Sequence, residues 1–198
     1  MTGSRFQAAA LAGLLSAIFL AGCTIRTNES TDSSGKKKKE DVDIRTPFGS
    51  LSVKNGKSAD LKDTGLPLYP GARPKEGKPG EDEGANVNIS SSMFGLKVVA
   101  QEFQSGDAPD KILSFYRKQL GKFGKVIQCA GSDSNLSAHK DDKNAPVSCD
   151  GDSDGSEHEQ ELKVGTQGNQ HVVSVKPKGG GSEFALVYVR ITGDKDIL

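Results

Sequence analysis

The chain has 198 residues, with 26 Lys+Arg against 26 Asp+Glu, 24 Gly, three Cys and no Trp. The balanced charge excludes the positive footprint of a nucleic-acid binder, and aromatics at 6% leave little for base stacking. The length suits one folded domain with an appendage.

Residues 1–22 read as a leader. Met1 to Gln7 carries Arg5 and no acid, and Ala8 to Gly22 is apolar or small throughout except for Ser16. A run of about 15 such residues is shorter than the roughly 20 that cross a bilayer as a helix. It has the charged and apolar regions of a secretory signal peptide. The run closes on Leu20-Ala21-Gly22-Cys23. This sequence resembles the lipobox of bacterial lipoproteins, in which two small residues fit the peptidase cleft and the thiol accepts a diacylglyceryl group. A buried core helix ending in a structural cysteine would leave the positive start and the polar tract after it unexplained. The resemblance implies that Cys23 becomes the N-terminus and carries a thioether-linked diacylglycerol and an N-acyl chain. Two or more acyl chains anchor stably where one does not. The expected location is therefore the membrane, through lipid and without a transmembrane helix. Thr24 stands where Asp would signal inner-membrane retention, which favours the periplasmic face of the outer membrane in a Gram-negative cell.

Residues 23–40 follow as the lipidated cysteine and a tether. Thr24 to Glu40 holds one large apolar residue, Ile25, among Ser, Thr, Asn, Asp, Gly and Lys, a composition that predicts disorder. Such a tether reaches about 20–25 Å. Lys36 to Lys39 reads either as attraction to anionic lipid or wall polymer, or as a solvated run balanced by Glu40, Asp41 and Asp43.

Residues 41–198 are expected to form a single α+β domain, with a mainly antiparallel sheet and one principal helix packed on one face. Val42 and Ile44 alternate towards a Pro47-Phe48-Gly49 turn and return as Leu51 and Val53, predicting a hairpin over 42–53 ahead of a main body over 65–198. Leu66-Pro67-Leu68-Tyr69-Pro70-Gly71-Ala72 holds two prolines that forbid regular helix or central strand, and a charged loop over 73–84 follows. Strands are predicted over 85–90 and 95–104. The helix is expected over 107–120, with Asp107 as N-cap, Asp110 in the place of a capping-box Glu, and Ile112, Leu113, Tyr116 and Leu120 on one face. Arg117 and Lys118 suit its C-terminal dipole, and Gly121 is expected to stop it. Lys125 to Cys129 returns to strand. A second hairpin joins 171–177 to 183–192 through Lys178-Gly179-Gly180-Gly181-Ser182, a glycine-rich loop between strands and not a phosphate cradle.

With Cys23 assigned to lipid, Cys129 and Cys149 remain as an even pair in an exported chain, where oxidising conditions favour a disulfide. A reactive thiol with His139 as base is the competing reading, without a recognisable motif around either cysteine.

Asp150-Gly151-Asp152-Ser153-Asp154-Gly155 followed by Ser156 and Glu161 has the spacing of a calcium loop over 150–161. Asp150, Asp152 and Asp154 would direct oxygens at one hard cation, Gly155 would permit the bend, Ser156 would offer its carbonyl and Glu161 a bidentate carboxylate. The likeness to an EF-hand is confined to these twelve residues. Glu157 stands where that family has an apolar residue, and extended segments replace both flanking helices. A solvated acidic loop is the alternative. His158 offers a single imidazole to a transition metal, and His139 and His171 read as a loop and a strand-end residue. No G-x-S-x-G elbow, Ser/His/Asp set or nucleotide loop emerges.

The order Leu66-Pro67-Leu68-Tyr69-Pro70-Gly71-Ala72, a strand near Phe103, then Ile112-Leu113-Ser114-Phe115-Tyr116 with Leu120 resembles a group of uncharacterised exported bacterial proteins over residues 65–125. That resemblance implies a structural unit and carries no activity. The expectation is a non-enzymatic, lipid-anchored envelope module without a resident cofactor, whose partner is an envelope protein or polymer. A ligand-binding lipoprotein with calcium at 150–161 is the alternative.

Overall fold

A computed structural model of the chain describes residues 24–28, 41–55, 61–75, 84–130, 142–149 and 159–193. The elements are β1 (Thr24–Asn28), β2 (Asp41–Thr46), β3 (Gly49–Asn55), a 3-10 turn (Leu61–Thr64), β4 (Arg73–Pro74), β5 (Gly84–Ser91), β6 (Phe94–Ser105), α1 (Pro109–Leu120), β7 (Ile127–Ala130), β8 (Gln160–Thr166), β9 (Asn169–Lys178) and β10 (Gly181–Gly193). The strands form one 10-stranded sheet in the order β1-β2-β3-β5-β6-β10-β9-β8-β7, and β4 pairs with the end of β6 that β5 leaves open. Every pairing is antiparallel. With α1 the one α-helix among the described residues, the chain is α+β.

Directly paired residues share a face of a sheet, so the register separates the two faces. On the helix face, Leu162 and Val164 of β8 meet Val173 and Val175 of β9, Phe184 and Leu186 of β10, and Phe103 of β6. Ile112, Leu113, Tyr116 and Leu120 of α1 close this core, all at most 4% exposed. Phe103 and Phe184 stack with centroids 5.4 Å apart, while Tyr69 meets Phe115 edge-on at 5.2 Å. Each such pair adds about 0.5–1.5 kcal/mol beyond its buried area.

The Leu66–Ala72 segment, irregular because of its prolines, is a wall of that core. Leu66 and Tyr69 are buried in it, and Gly71 at φ 77 turns the chain out, with the Ala72 N–H donating to the Tyr69 carbonyl at 3.0 Å. Asp63 extends the cover to β5 and β6 by accepting from Asn86 Nδ2 at 3.1 Å and Lys97 Nζ at 3.0 Å.

The structure corrects two local expectations. Thr24–Asn28, placed by composition in the tether, pairs with β2 as strand β1, Ile25 lying opposite Ile44. A neighbouring strand edge supplies the hydrogen bonds that a lone polar segment lacks. The rest of the expected tether, the Lys36–Lys39 run and the leader lie outside the described residues. The helix begins at Pro109 with Ala108 as its cap, not at Asp107. Proline has no N–H to cap and a φ suited to the first turn, which leaves Asp107 one residue too early. Its carboxylate accepts instead from Lys111 Nζ at 2.8 Å and the Tyr69 hydroxyl at 3.0 Å. Gly121 stops the helix after Leu120 as expected, capping it in right-handed geometry at φ −57, and the chain reverses at Gly124, φ +140.

The hairpin over 42–53 is part of the main sheet, since β3 pairs with β5 along its whole length. The second hairpin stands as expected, turning at Gly179, φ 58. No helix among the described residues is long and apolar enough to cross a membrane.

Candidate functional site

Helix α1 and the 61–72 segment cover β8, β9, β10, β6 and part of β5. Beyond them the sheet continues as a wing of β3, β2 and β1. Its two faces differ because its strands alternate. On the helix side the register aligns Asp43 and Arg45 of β2, Ser50, Ser52 and Lys54 of β3, and Asn88 and Ser90 of β5. These residues floor an open groove of about 900 Å³, which the Pro47-Phe48 turn also lines. Hydroxyls, an amide and both signs of charge line it, a set that can hydrogen-bond an extended polar chain or a sugar-like polymer and has no positioned nucleophile–base pair. On the opposite side the same strands present Val42, Ile44, Leu51, Val53, Val87 and Ile89, continued by Leu96 and Val98 of β6. Sequence reading found the apolar half of this alternation in the 42–53 hairpin. The polar half was legible at Asp43, Arg45, Ser50 and Ser52, but only the pairing of β3 with β5 adds Asn88 and Ser90 to it.

Cys129 and Cys149 form a disulfide with Cα atoms 5.5 Å apart. Local pairing brings them together. The Pro146 bridge to Thr166 and the Val147 N–H bond to the Gly165 carbonyl at 3.2 Å lay residues 145–147 along β8, in line with β7. The bridge then ties Cys149 back to β7.

Of the calcium-loop residues, Asp150, Asp152, Asp154 and Ser156 lie outside the described residues. Glu161 lies inside β8, 5% exposed, and ion-pairs with Lys163 Nζ at 3.1 Å. Among the described residues no group of three or more His, Cys, Asp or Glu is arranged to hold a metal ion. Glu102, Glu159 and Glu183 do gather with Ser174 and Lys176 around a cleft of about 50 Å³. They are engaged in pairs: Lys75 with Glu102, Lys176 and Lys178 with Glu183, and the Ser174 hydroxyl with Glu159.

His171 is the one histidine within the described residues. It lies near the start of β9, as expected, and is 8% exposed there, stacked on Phe123 at 4.1 Å and tilted against Tyr188 at 4.7 Å. Burial holds its pKa below the ordinary value, partly offset by a hydrogen bond to the Thr64 backbone. These contacts assign it to packing. Around Asp107, the Lys111 ammonium and then the Tyr69 hydroxyl hold the carboxyl below the usual range. The Ser182 hydroxyl donates to the Asp107 carbonyl at 2.7 Å, so this network fixes the start of α1 to β10.

Comparison with protein-family models, with curated proteins and with solved structures finds no match to this chain.

Proposed function

We propose that the chain is a lipid-anchored protein of the cell envelope, held through Cys23, whose folded body is a non-enzymatic interaction module. The observation that supports the module most directly is the wing. A sheet that needed only to bury the face under α1 would end near β5, yet three further strands continue it, and two of them, β2 and β3, floor a polar groove with β5. The leader and Leu20-Ala21-Gly22-Cys23 support the anchor. The groove chemistry suits a polar envelope chain, either an extended protein segment or a wall polymer.

The test has two parts. Mass spectrometry of the membrane-fraction protein should find a chain beginning at Cys23 and carrying acyl mass; an unprocessed or unacylated chain overturns the anchor. A photo-crosslinking residue at Ser52 or Asn88 should trap an envelope component in intact cells, and the same residue at Lys178 should not. Equal recovery of the bait alone from all three positions overturns the module reading.

A further inference from the structure

Two hairpin turns, one in the wing and one beside it, project large apolar side chains into solvent at the same end of the sheet. Phe48, between β2 and β3, is 84% exposed, and Met93, between β5 and β6, is 61% exposed. The turns are neighbours because Gly49 pairs with Ser91. Single exposed apolar residues need no explanation, but these two stand side by side at the end of strands that carry an apolar face. Directly behind them Ile25, Ile44, Leu51, Ile89, Leu96 and Ile191 form one cross-strand row over six strands. Ile25, at the β1 end of that row, is 66% exposed.

The turns share one construction. The Thr46 hydroxyl accepts the Phe48 N–H at 3.3 Å and donates to the Gly49 carbonyl at 3.0 Å. The Ser91 hydroxyl accepts the Met93 N–H at 3.3 Å and donates to the Phe94 carbonyl at 3.0 Å. The N–H of each exposed apolar residue and the carbonyl of the residue after it are thus met within the turn, which lowers the cost of taking them out of water. Residues 45–50 and 90–96 contain Arg45 and no acid.

The place where the chain enters the sheet identifies the occupant. Thr24 pairs with Arg45, at the end of β2 that runs into the Phe48 turn. Cys23 is the preceding residue in the chain, joined directly to the first residue of β1. An acylated Cys23 therefore brings the leaflet to this end of the wing, with no tether between them.

We propose that the Phe48 and Met93 turns, with Ile25 beside them, insert into the leaflet that holds the acyl chains, so that the domain docks on the bilayer by the end of its wing. This rests on the anchor reading above and adds an orientation to it. The polar groove then opens beside the membrane surface, and the Gly179 hairpin turn, at the opposite end of β10, points away.

The chain has no tryptophan, so Phe48→Trp, Met93→Trp and Lys178→Trp each install a single probe. The full-length protein is purified from membranes and reconstituted in phosphatidylethanolamine–phosphatidylglycerol vesicles, with and without brominated acyl chains. Emission at positions 48 and 93 is expected to shift to shorter wavelength and to be quenched by bromine, with position 178 unchanged in both respects. Unquenched emission at 48 and 93 in protein that floats with the vesicles and carries acyl mass overturns the docking while leaving the anchor intact. A blue shift without quenching means that protein, a second copy included, covers the turns, and also overturns it. A chain without acyl mass overturns the anchor, and quenching upon vesicle addition still decides the docking.

Discussion

The Tyr116 hydroxyl bridges the helix to the proline-rich segment: it accepts the Tyr69 N–H at 3.0 Å and donates to the Pro67 carbonyl at 3.2 Å. Tyr116 is fully buried, and desolvation pushes its pKa far above the ordinary tyrosine value. Two backbone groups of a segment that cannot form regular structure thus find both partners in one side chain. Tyr116→Phe keeps the ring against Phe115 and Phe184 and leaves those groups unsatisfied. It is expected to cost about 1–3 kcal/mol, read as a lower urea midpoint with an unchanged m-value.

This contact also separates what the sequence disclosed from what it did not. The 3.6-residue spacing of Ile112, Leu113, Tyr116 and Leu120 identifies the buried helix face, period-two alternation identifies the 42–53 hairpin and the glycine-rich loop over 178–182 the second, because those signals are local. Nothing local shows that Tyr116 reaches residues 47 and 49 positions earlier. Strand β4 was hidden because it is two residues long and ends in Pro74. Strand β1 was hidden because Ile25 is the only large apolar residue in a polar tract, and its pairing depends on β2. The groove is similarly non-local: Asn88 and Ser90 reach it from β5, far along the chain from Ser52 and Ser50, with which they pair. Phe48 and Met93 stood in readable turn sequences, but their adjacency follows from the β3–β5 register alone.

His171 predicts a pH dependence. Its folded pKa is lowered by burial, so the unfolded chain, with an imidazole near 6.5, binds a proton first as pH falls. Stability rises with pH where the unfolded state holds more protons. The contribution of this site is therefore lost progressively from about pH 6.5 down to its folded pKa. Melting temperatures measured between pH 7.5 and 5 should fall for the native chain and fall less for His171→Phe, which keeps a ring between Phe123 and Tyr188. Parallel curves would refute the assignment.

The Cys129–Cys149 bridge closes a sequence separation of 20 residues. It restrains a region held to β8 by few pairings, the Pro146 bridge and its neighbours. Chain entropy assigns a closure of that size about 3 kcal/mol. Reduction, or the paired change Cys129→Ser and Cys149→Ser, should lower stability by roughly that amount. Hydrogen exchange should rise first in β7 and residues 145–149, with the core strands β9 and β10 still protected. Uniform loss of protection would mean that the bridge supports the whole sheet.

Glu161 and Lys163 face the side of β8 opposite to α1, with side chains 6% and 9% exposed and 3.1 Å apart. A buried ion pair contributes little net stability, because desolvation offsets most of the attraction, but removing one partner leaves a buried charge uncompensated. Glu161→Leu alone should therefore destabilise by about 3–5 kcal/mol, and so should Lys163→Met alone. The double variant should recover most of either loss, giving a large favourable coupling in a double-mutant cycle. Denaturant unfolding of the four proteins measures it. Additive losses would show that each side chain is satisfied separately by other neighbours. The same cycle repeated with calcium then reads whether the 150–161 loop draws on Glu161. A carboxylate held by Lys163 gives a coupling that calcium leaves unchanged, while one shared with a cation loses coupling as the metal is added.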